Sequence, residues 1–406
     1  MVNVNLKRNS LIYLIGEVIS RLIPFIMMPY LTRVLGTDGF GQVSLYLAWG
    51  SLFVICISYM QESCIVRYTF YYGKRSLHFL LMTGRIYSIV ITIFFLIFSL
   101  IIKNEFFFFV VLYAFTSYLL KVELILRQAL NQVFSYIAIQ LTFSLSVSIF
   151  TIGLLELFGY TAELRVFAII ISNIISYFLA IIFFKSPIKL SRKPSFRISK
   201  LMLFYILSFA SPLLINSACS FIKGQFDRIF IADLFTIEEL GVYTAAFQLS
   251  SVVLLLVLAM SRTLEPYLYQ RIKNNQVSFV KLLKFSIYFI PVVVIISILV
   301  EFIPEKLYLI LLGDSYIGIK GFILPFVLSF SLLGIYTLFS IYLSYFGKTI
   351  LIMKSNIVSA LIYFICLFLF SKIGIEYIAF STLISNLVLL VISGYYSYLI
   401  SIRAII

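Results

Sequence analysis

The chain has 406 residues, of which 62% are apolar and only 12% are charged, against roughly 25% charged residues in an ordinary soluble domain. Such a chain has too few polar side chains to cover the surface of a water-soluble fold. Intrinsic disorder is excluded by the high apolar content, and a disulfide scaffold is excluded because there are only four Cys. The composition therefore indicates a membrane protein, with 31 Lys and Arg against 16 Asp and Glu and a net charge of +15.

Twelve apolar stretches are long enough to cross a bilayer. A spanning helix needs about 20 mostly apolar residues, because the hydrocarbon core is roughly 30 Å thick. These stretches lack the strict alternation of a β-barrel strand. The predicted fold is an all-α integral membrane protein of about twelve helices, with spans near 10–32, 40–61, 79–102, 106–125, 133–155, 164–184, 201–223, 241–262, 284–303, 321–345, 349–370 and 376–400.

The distribution of charge over the loops predicts the orientation. If the N-terminus with Lys7 and Arg8 is cytoplasmic, most basic residues fall in cytoplasmic loops and most acids fall outside. The positive-inside rule then places both termini in the cytoplasm. Most of the +15 charge is thereby explained by topology, which argues against a nucleic-acid partner. The basic cytoplasmic loops are expected to contact anionic lipids.

The most basic loop, 185–200 (KSPIKLSRKPSFRISK), divides the spans into two sets of six. We therefore predict an N-terminal lobe at 1–184, a basic cytoplasmic linker at 185–200 and a C-terminal lobe at 201–406. Two lobes of six spans run in the same direction, as in transporter folds built from parallel repeats. Asn173 in IISNIIS and Asn386 in LISNLVL occupy matching positions of the two lobes. A cleft between such lobes is the expected place for a transported substrate.

A few ionisable residues lie within or beside the predicted spans. Such groups are costly at membrane depth and usually face a bundle interior or a water-filled cavity. Glu17 and Arg21 are four residues apart in the first span, and Lys223 and Asp227 repeat that spacing in the seventh, with Arg228 next. The functional interpretation is that Arg21, Lys223 and Arg228 bind an anionic substrate, while Glu17 or Asp227 carries a coupling proton. The alternative is that these groups form structural ion pairs.

Other polar residues favour structural roles or leave two roles open. Glu123 and Arg127 have the same i, i+4 spacing and are expected to form a surface pair. The uncharged polar residues of the spans either bind sugar hydroxyls or join helices by hydrogen bonds; they are Gln61, Gln140, Asn173, Asn216, Gln225, Gln248, Asn356 and Asn386.

The sequence contains no recognisable catalytic, nucleotide-binding or metal-binding motif. A G-x-x-x-x-G-K phosphate loop and a G-x-S-x-G nucleophile motif are both absent, and a single His with scattered Cys does not make a metal site. We therefore expect a protein that is not an enzyme and that needs no cofactor and no metal. Transport would then be driven by an ion gradient or by the gradient of the substrate.

The N-terminal segment IPFIMMPYLTRVLGTDGFGQVSLYLAWG (23–50) resembles the opening of the bacterial polysaccharide flippases. These proteins belong to the multidrug/oligosaccharidyl-lipid/polysaccharide exporter (MOP) superfamily, and the O-antigen flippase (Wzx-like) is the most similar type. The matching residues are Pro29, Arg33, Leu35, Gly36, Phe40 and Gly41, then Asp227, Arg228, Gly241, Val242 and Tyr243, and finally Leu312, Gly313 and Tyr316.

This resemblance implies a MATE-like fold of two six-helix lobes and a transport function. The implied substrate is a polyprenyl-diphosphate-linked oligosaccharide, such as an O-antigen unit for lipopolysaccharide, moved from the cytoplasmic to the periplasmic leaflet of the inner membrane by alternating access. A polysaccharide polymerase and a chain-length regulator are the protein partners that such a pathway implies. The turn at Gly36, Gly39 and Gly41 is expected to be structural.

Three alternatives remain open from the sequence. A cation-coupled drug antiporter of the same superfamily is disfavoured because acids within the spans are scarce. A membrane polysaccharide polymerase is disfavoured because the predicted outside loops are short. A lipid II flippase is similar in fold but is expected to carry two further helices.

Overall fold

The computed structural model describes residues 16–20, 22–74, 76–183, 195–274, 276 and 279–403. Within these ranges the chain is almost entirely helical and has no strand. Eleven of the helices described there are long and apolar enough to cross a membrane. The prediction of an all-α membrane protein is thereby confirmed. The first predicted span, 10–32, lies only partly in the described ranges, where residues 16–20 and 22–26 are helical.

The described part of the chain folds as two compact units. The first unit comprises Met1–Leu35 and Gln42–Ala218. Its helices are α1 (Met28–Ser58), α2 (Gln61–Tyr71), α3 (Leu77–Ile102), α4 (Glu105–Ala129), α5 (Val133–Phe158), α6 (Ala162–Ile182) and most of α7 (Phe196–Gly224). Buried apolar side chains of α2, α3, α4 and α7 form a core cluster in this unit, which includes Ile65, Leu80, Leu126 and Ile206.

The second unit comprises Gly36–Gly41 and Cys219–Ile406. After the end of α7 it contains α8 (Phe226–Leu234), α9 (Ile237–Lys273), α10 (Phe279–Phe302), α11 (Glu305–Leu312), a 3₁₀ turn (Asp314–Tyr316), α12 (Lys320–Tyr345), α13 (Thr349–Ser371) and α14 (Ile375–Arg403). Leu338, Tyr342 and Leu343 of α12 lie in a buried apolar cluster of this unit.

A short segment of α1, Gly36–Gly41, belongs to the second unit. Gly36 has φ 67° and ψ −173°, so the helix is kinked there, in a conformation that only Gly adopts without strain. The expected turn at this glycine is therefore present. A Cβ on Gly41 would lie 2.1 Å from the carbonyl oxygen of Ile237, and one on Gly241 would lie 2.0 Å from that of Thr37. Two glycines thus allow the segment to pack directly on the backbone of α9.

The same segment contacts the third region that matches the flippase pattern. The Tyr316 hydroxyl donates a hydrogen bond of 3.0 Å to the Gly36 carbonyl. The Phe40 and Tyr316 rings pack edge to face, with their centroids 6.4 Å apart. Motif residues that are distant in the sequence therefore meet in one place, which explains why small and aromatic residues recur there.

Two predictions about organisation stay predictions. Most of the basic linker 185–200 lies outside the described residues, because 184–194 are not described. The proposed boundaries at 184 and 201 therefore remain sequence-based. The cytoplasmic location of both termini likewise rests on the charge distribution alone.

Candidate functional site

A helix break places the predicted site residues of the second unit. Helix α7 ends at Gly224 and α8 begins at Phe226, and Gln225 between them has the non-helical φ −143° and ψ −25°. Lys223 therefore lies in the last turn of α7, whereas Asp227 lies in the first turn of α8. Their spacing of four is not a helical i, i+4 relation, and each group has its own partners.

Within the described residues, the hydrogen-bond partners of the Lys223 ammonium are neutral polar groups. Its Nζ donates to Oδ1 of Asn356 at 3.2 Å and to Oγ of Ser359 at 3.4 Å. Ser359 lies at the middle of α13 and is also hydrogen-bonded to Ser385 of α14, with the two hydroxyl oxygens 2.8 Å apart. The ammonium is therefore deep in the span and bonded to an amide and a hydroxyl rather than to a carboxylate.

The Asp227 carboxylate is fully buried and is held by nearby donors. Its Oδ2 accepts a hydrogen bond of 2.6 Å from the Tyr243 hydroxyl, and its Oδ1 accepts one of 2.9 Å from the backbone N–H of Arg228. Tyr363, which is also fully buried, lies close to the same carboxylate. Placement in the first turn of α8 adds the favourable end of the helix dipole. The arrangement stabilises a buried negative charge.

Arg228 is buried beside it but does not direct its guanidinium at the acid. Nη1 donates to the Gly224 carbonyl at 3.2 Å and to the side-chain oxygen of Gln225. The guanidinium carbon lies 4.7 Å from the ring centroid of Phe247, a cation–π distance. Its Nε has no hydrogen-bond partner among the described residues. Arg228 thus bridges the helix break and retains one buried donor.

The predicted pair of the first span is only half described. Arg21 lies outside the described residues. Glu17 lies in the helical segment 16–20 and is half-buried. The Ser144 hydroxyl of α5 donates a hydrogen bond of 2.8 Å to the carbonyl of Ser20, which fixes this segment against α5. The proposed roles of Glu17 and Arg21 stay predictions.

The first unit contains a charged network that the sequence interpretation placed at the surface. Glu123 and Arg127 of α4 are 2% and 1% exposed, so the expected surface pair is wrong in its location. Glu123 Oε2 lies 3.3 Å from Nη2 of Arg127, and Oε1 lies 2.6 Å from Nη2 of Arg85. Arg127 also donates to the carbonyl of Ala180 at 3.0 Å. The network joins α3, α4 and α6.

A second ion pair lies in the same unit. Lys121 Nζ and Oε1 of Glu62 are 2.5 Å apart. In the sequence, neither Glu62 nor Lys121 was singled out as a candidate for pairing. Burial itself depends on helix packing, which the sequence alone does not reveal.

The partners of Lys223 were partly visible in the sequence. Asn356 stood among the uncharged polar residues of the spans, whereas Ser359 and Ser385 carried no distinguishing pattern. Within the described residues, no group of three or more His, Cys, Asp or Glu could hold a metal ion. The chemistry that this arrangement offers is a deep cation surrounded by amide and hydroxyl groups, which suits an anionic, hydroxyl-rich ligand.

Comparison with known proteins gives a consistent family and fold. The family described as "Polysaccharide biosynthesis protein" matches residues 6–272. Lsg locus putative protein 1 of Haemophilus influenzae is 34% identical over 381 residues, which cover 94% of this chain and 95% of that protein. The match therefore extends over both units.

Two solved membrane proteins share the fold. The lipid II flippase MurJ in an inward closed conformation has a TM-score of 0.73 at 12% identity, covering 95% of this chain and 87% of that one. An inward-facing multidrug resistance MATE family transporter of the MOP superfamily has a TM-score of 0.71 at 13% identity, covering 94% and 95%. At such identities the likeness concerns the fold, which is the predicted MATE-like architecture.

Proposed function

Because the chain belongs to the polysaccharide biosynthesis protein family, we propose that it is a flippase for a polyprenyl-diphosphate-linked oligosaccharide. The lipid-linked unit, of the O-antigen type, moves from the cytoplasmic to the periplasmic leaflet of a bacterial inner membrane. Its likeness in fold to a lipid II flippase supports a lipid-linked cargo. Alternating access of the two lobes would carry the headgroup across.

This proposal rests on the position and the hydrogen-bond partners of Lys223. Its ammonium lies beside Ser359 at the middle of α13 and bonds neutral groups. A charge at membrane depth is costly and marks a functional position by default. A diphosphate needs a cation on its path, and Asn356 together with the Ser359 hydroxyl can exchange hydrogen bonds with sugar hydroxyls. Arg228, whose Nε has no partner in the described part of the chain, is a second candidate cation in the same unit.

The drug antiporter alternative is less well supported by the described acids. A cationic drug needs an accessible carboxylate, but Asp227 already accepts bonds from Tyr243 and from a backbone N–H. Glu123 is likewise held between two arginines. The described cluster at the end of α7 is a place for an anion rather than for a cation.

Coupling and pathway are further parts of the proposal. Glu17 or Asp227 would carry a coupling proton, and Arg21 would contribute a second cation for the diphosphate. Asp227 has no exposed surface, so its proton exchange requires a conformation that opens the site. A polysaccharide polymerase and a chain-length regulator would act on the delivered unit.

The test is complementation of a deletion strain. Deletion should abolish surface polysaccharide and leave lipid-linked units on the cytoplasmic side. Lys223→Gln should fail to complement at normal protein level, whereas Lys354→Gln should complement, because Lys354 is an exposed lysine of α13. Normal surface glycan with altered drug sensitivity in the deletion strain would contradict the flippase and favour the antiporter.

A further inference from the structure

An exposed arginine of the first unit is surrounded by aromatic rings. We call this group the Arg67 cluster; it comprises Arg67, Tyr68, Tyr71 and Tyr72 at the end of α2, and Tyr205 and Phe209 of α7. The guanidinium carbon lies 4.6 Å from the ring centroid of Phe209, 5.4 Å from that of Tyr71 and 5.7 Å from that of Tyr205. Nη1 donates a hydrogen bond of 3.1 Å to the Tyr205 hydroxyl.

The rings form an ordered wall rather than a set of isolated side chains. Tyr205 and Phe209, one turn apart on α7, are stacked with an interplanar angle of 9°. Tyr72 packs on Tyr205 with centroids 5.9 Å apart, and on Tyr68 with centroids 5.0 Å apart. Tyr71 and Tyr72 are nevertheless 72% and 54% exposed. Ring faces and hydroxyls therefore remain accessible next to the guanidinium.

The charge of Arg67 is not neutralised by an acid among the described residues, where its contacts are the rings and the Tyr205 hydroxyl. This differs from Arg85 and Arg127 of the same unit, which both pair with Glu123. A guanidinium with free donors in a planar fork matches the geometry of a phosphate. Aromatic faces beside it offer stacking to a flat or ring-shaped group.

The cluster is held by a rigid base. Cys64, Ile65 and Tyr68 of α2 pack with Ile206 and Ala210 of α7 in a buried core cluster of the first unit. Sites built on packed helices keep their geometry better than sites on loops. The exposed half of the cluster is therefore presented in a fixed arrangement before any ligand arrives.

We propose that the Arg67 cluster binds the diphosphate and the adjacent sugar of the lipid-linked substrate. Arg67 contacts the phosphate oxygens, the Tyr71 and Tyr72 rings stack on the sugar, and tyrosine hydroxyls bond its hydroxyl groups. This proposal rests on the proposed flippase function and names a recognition site for it separate from Lys223. The charge distribution predicts the cytoplasmic side for Arg67, so the cluster would receive substrate before translocation.

The phosphate could also come from an anionic phospholipid headgroup, and the experiment separates the two sources. Full-length protein is placed in phosphatidylcholine nanodiscs and titrated with farnesyl diphosphate that carries one N-acetylglucosamine, and with farnesyl diphosphate alone. A third titration uses phosphatidylglycerol as competitor. Wild-type protein should bind the glycosylated probe more tightly than the bare diphosphate, and phosphatidylglycerol should compete poorly.

Three substitutions and a matched control define the expected pattern. Arg67→Gln should weaken binding of both probes by about tenfold, the loss of a charge-assisted hydrogen bond. Tyr71→Leu should weaken only the glycosylated probe, by about threefold to tenfold. Arg67→Lys should fall between wild type and Arg67→Gln, because it keeps the charge without the fork. Arg271→Gln is the control, since Arg271 is an exposed arginine on a single ring, 4.5 Å from the Tyr267 centroid.

The outcomes separate this inference from the proposed function. If Arg67→Gln binds both probes as wild type does, or loses no more than Arg271→Gln, the cluster is not the site. Equal competition by phosphatidylglycerol would assign it to bulk lipid and overturn the proposal. Should Arg67→Gln fail to fold, the proposal is tested by Tyr71→Leu and Arg67→Lys instead. Binding of both probes as in wild type by these two variants would overturn it. Failure of wild-type protein to bind either probe, with surface polysaccharide intact in the deletion strain, would overturn the flippase function and this inference with it.

Discussion

The two units stabilise buried charge in different ways. In the first unit, Glu123 lies between Arg127 and Arg85, with contacts of 3.3 and 2.6 Å, so each arginine has a carboxylate partner. In the second unit, Lys223 bonds an amide and a hydroxyl, and Asp227 bonds a tyrosine and a backbone N–H. In the first arrangement both arginines have a carboxylate partner, whereas in the second the described hydrogen-bond partners of the Lys223 cation are neutral.

Both units contain an asparagine that hydrogen-bonds a neighbouring helix, a contact that we call the helix joint. Because the joint is shared, the difference in how the units stabilise buried charge is not imposed by the fold. Asn173 donates to the Thr116 hydroxyl in the first unit, and Asn386 donates to that of Ser329 in the second, each across 57 residues. In α4, Glu123 and Arg127 follow Thr116 by two and three helical turns. In α12, the residues two and three turns after Ser329 are Tyr336 and Ser340, which are uncharged. The second unit therefore keeps the joint without the ion pair. We infer that the ion pair is a structural feature of the first unit, whereas Lys223, which has no described acid partner, is the cation proposed to bind substrate in the second.

The largest expected effect is loss of the acid in the first unit. Glu123→Gln removes the carboxylate and leaves two arginines facing a neutral amide, one of them fully buried. Removing one partner of a buried ion pair costs about 3–5 kcal/mol. We expect a much lower yield of folded protein and a lower unfolding temperature in detergent.

The control for that loss is Glu156→Gln. Glu156 is exposed and accepts hydrogen bonds from Tyr30 and Tyr160 instead of an arginine. Its substitution should change stability by less than about 0.5 kcal/mol. Equal unfolding temperatures for the Glu123 and Glu156 variants would refute the view that the network stabilises the first unit.

The next prediction tests whether the segment Gly36–Gly41 belongs to the second unit. Gly41→Ala should be destabilising, because the new Cβ would lie 2.1 Å from the Ile237 carbonyl oxygen and the backbone must move. Overpacking of this kind costs about 1–3 kcal/mol. The measurement is the unfolding temperature of the purified protein, together with its level in membranes.

Gly153→Ala is the matched substitution. A Cβ on this helical glycine of α5 meets nothing within 4 Å, so alanine should be neutral or stabilising by up to about 1 kcal/mol. If both alanine variants behave alike, Gly36–Gly41 does not pack directly on α9, and the division into units must be redrawn.

The third prediction concerns Lys223, whose substitution should impair transport without lowering the stability of the folded protein. Lys223→Met removes a half-buried charge that has no described acid partner, so the folded protein should be unchanged or more stable by about 1 kcal/mol. Transport of the lipid-linked unit should fall at least about tenfold, because the cation is lost. Unfolding temperature and complementation are measured on the same samples. Lys354→Met, on the exposed side of α13, should leave both unchanged; a destabilised Lys223→Met would show a structural role instead.

The fold was predictable from the sequence because it depends on length and apolarity. Eleven predicted spans correspond to described helices. Most ends differ by a few residues, because helix ends depend on local caps such as Thr236 with Glu239 before α9. The exception is the second span, predicted to begin at 40, whose helix begins at Met28 and continues through the kink at Gly36. The kink at Gly36 was also predictable, since a glycine in a helix-ending pattern signals a turn.

The site was less predictable because hydrogen-bond partners come from other helices. Lys223 and Asp227 have the spacing of one helical turn, yet the chain breaks at Gln225 and each group bonds α9 or α13. No sequence pattern distinguished Ser359 from the other serines. The Arg67 cluster was hidden for a similar reason: its basic residue was assigned to topology, and its rings come from segments more than a hundred residues apart.

The smallest expected effect tests the joint that both units share. Asn173→Ala and Asn386→Ala each remove two interhelical hydrogen bonds. Asn173 donates to the hydroxyls of Thr116 and Ser117, and Asn386 donates to the hydroxyl and the carbonyl of Ser329. Such bonds within membranes contribute about 0.6 kcal/mol on average, so two similar small losses are expected. The double variant should lose their sum, because the two joints share no partner. Unfolding in mixed micelles measures both. A large loss of stability for Asn173→Ala alone would mean that the Asn173 contact depends on the neighbouring ion pair of Glu123 and Arg127. The Asn173 and Asn386 contacts would then not be equivalent, and the inference that the ion pair is independent of the shared fold would fail.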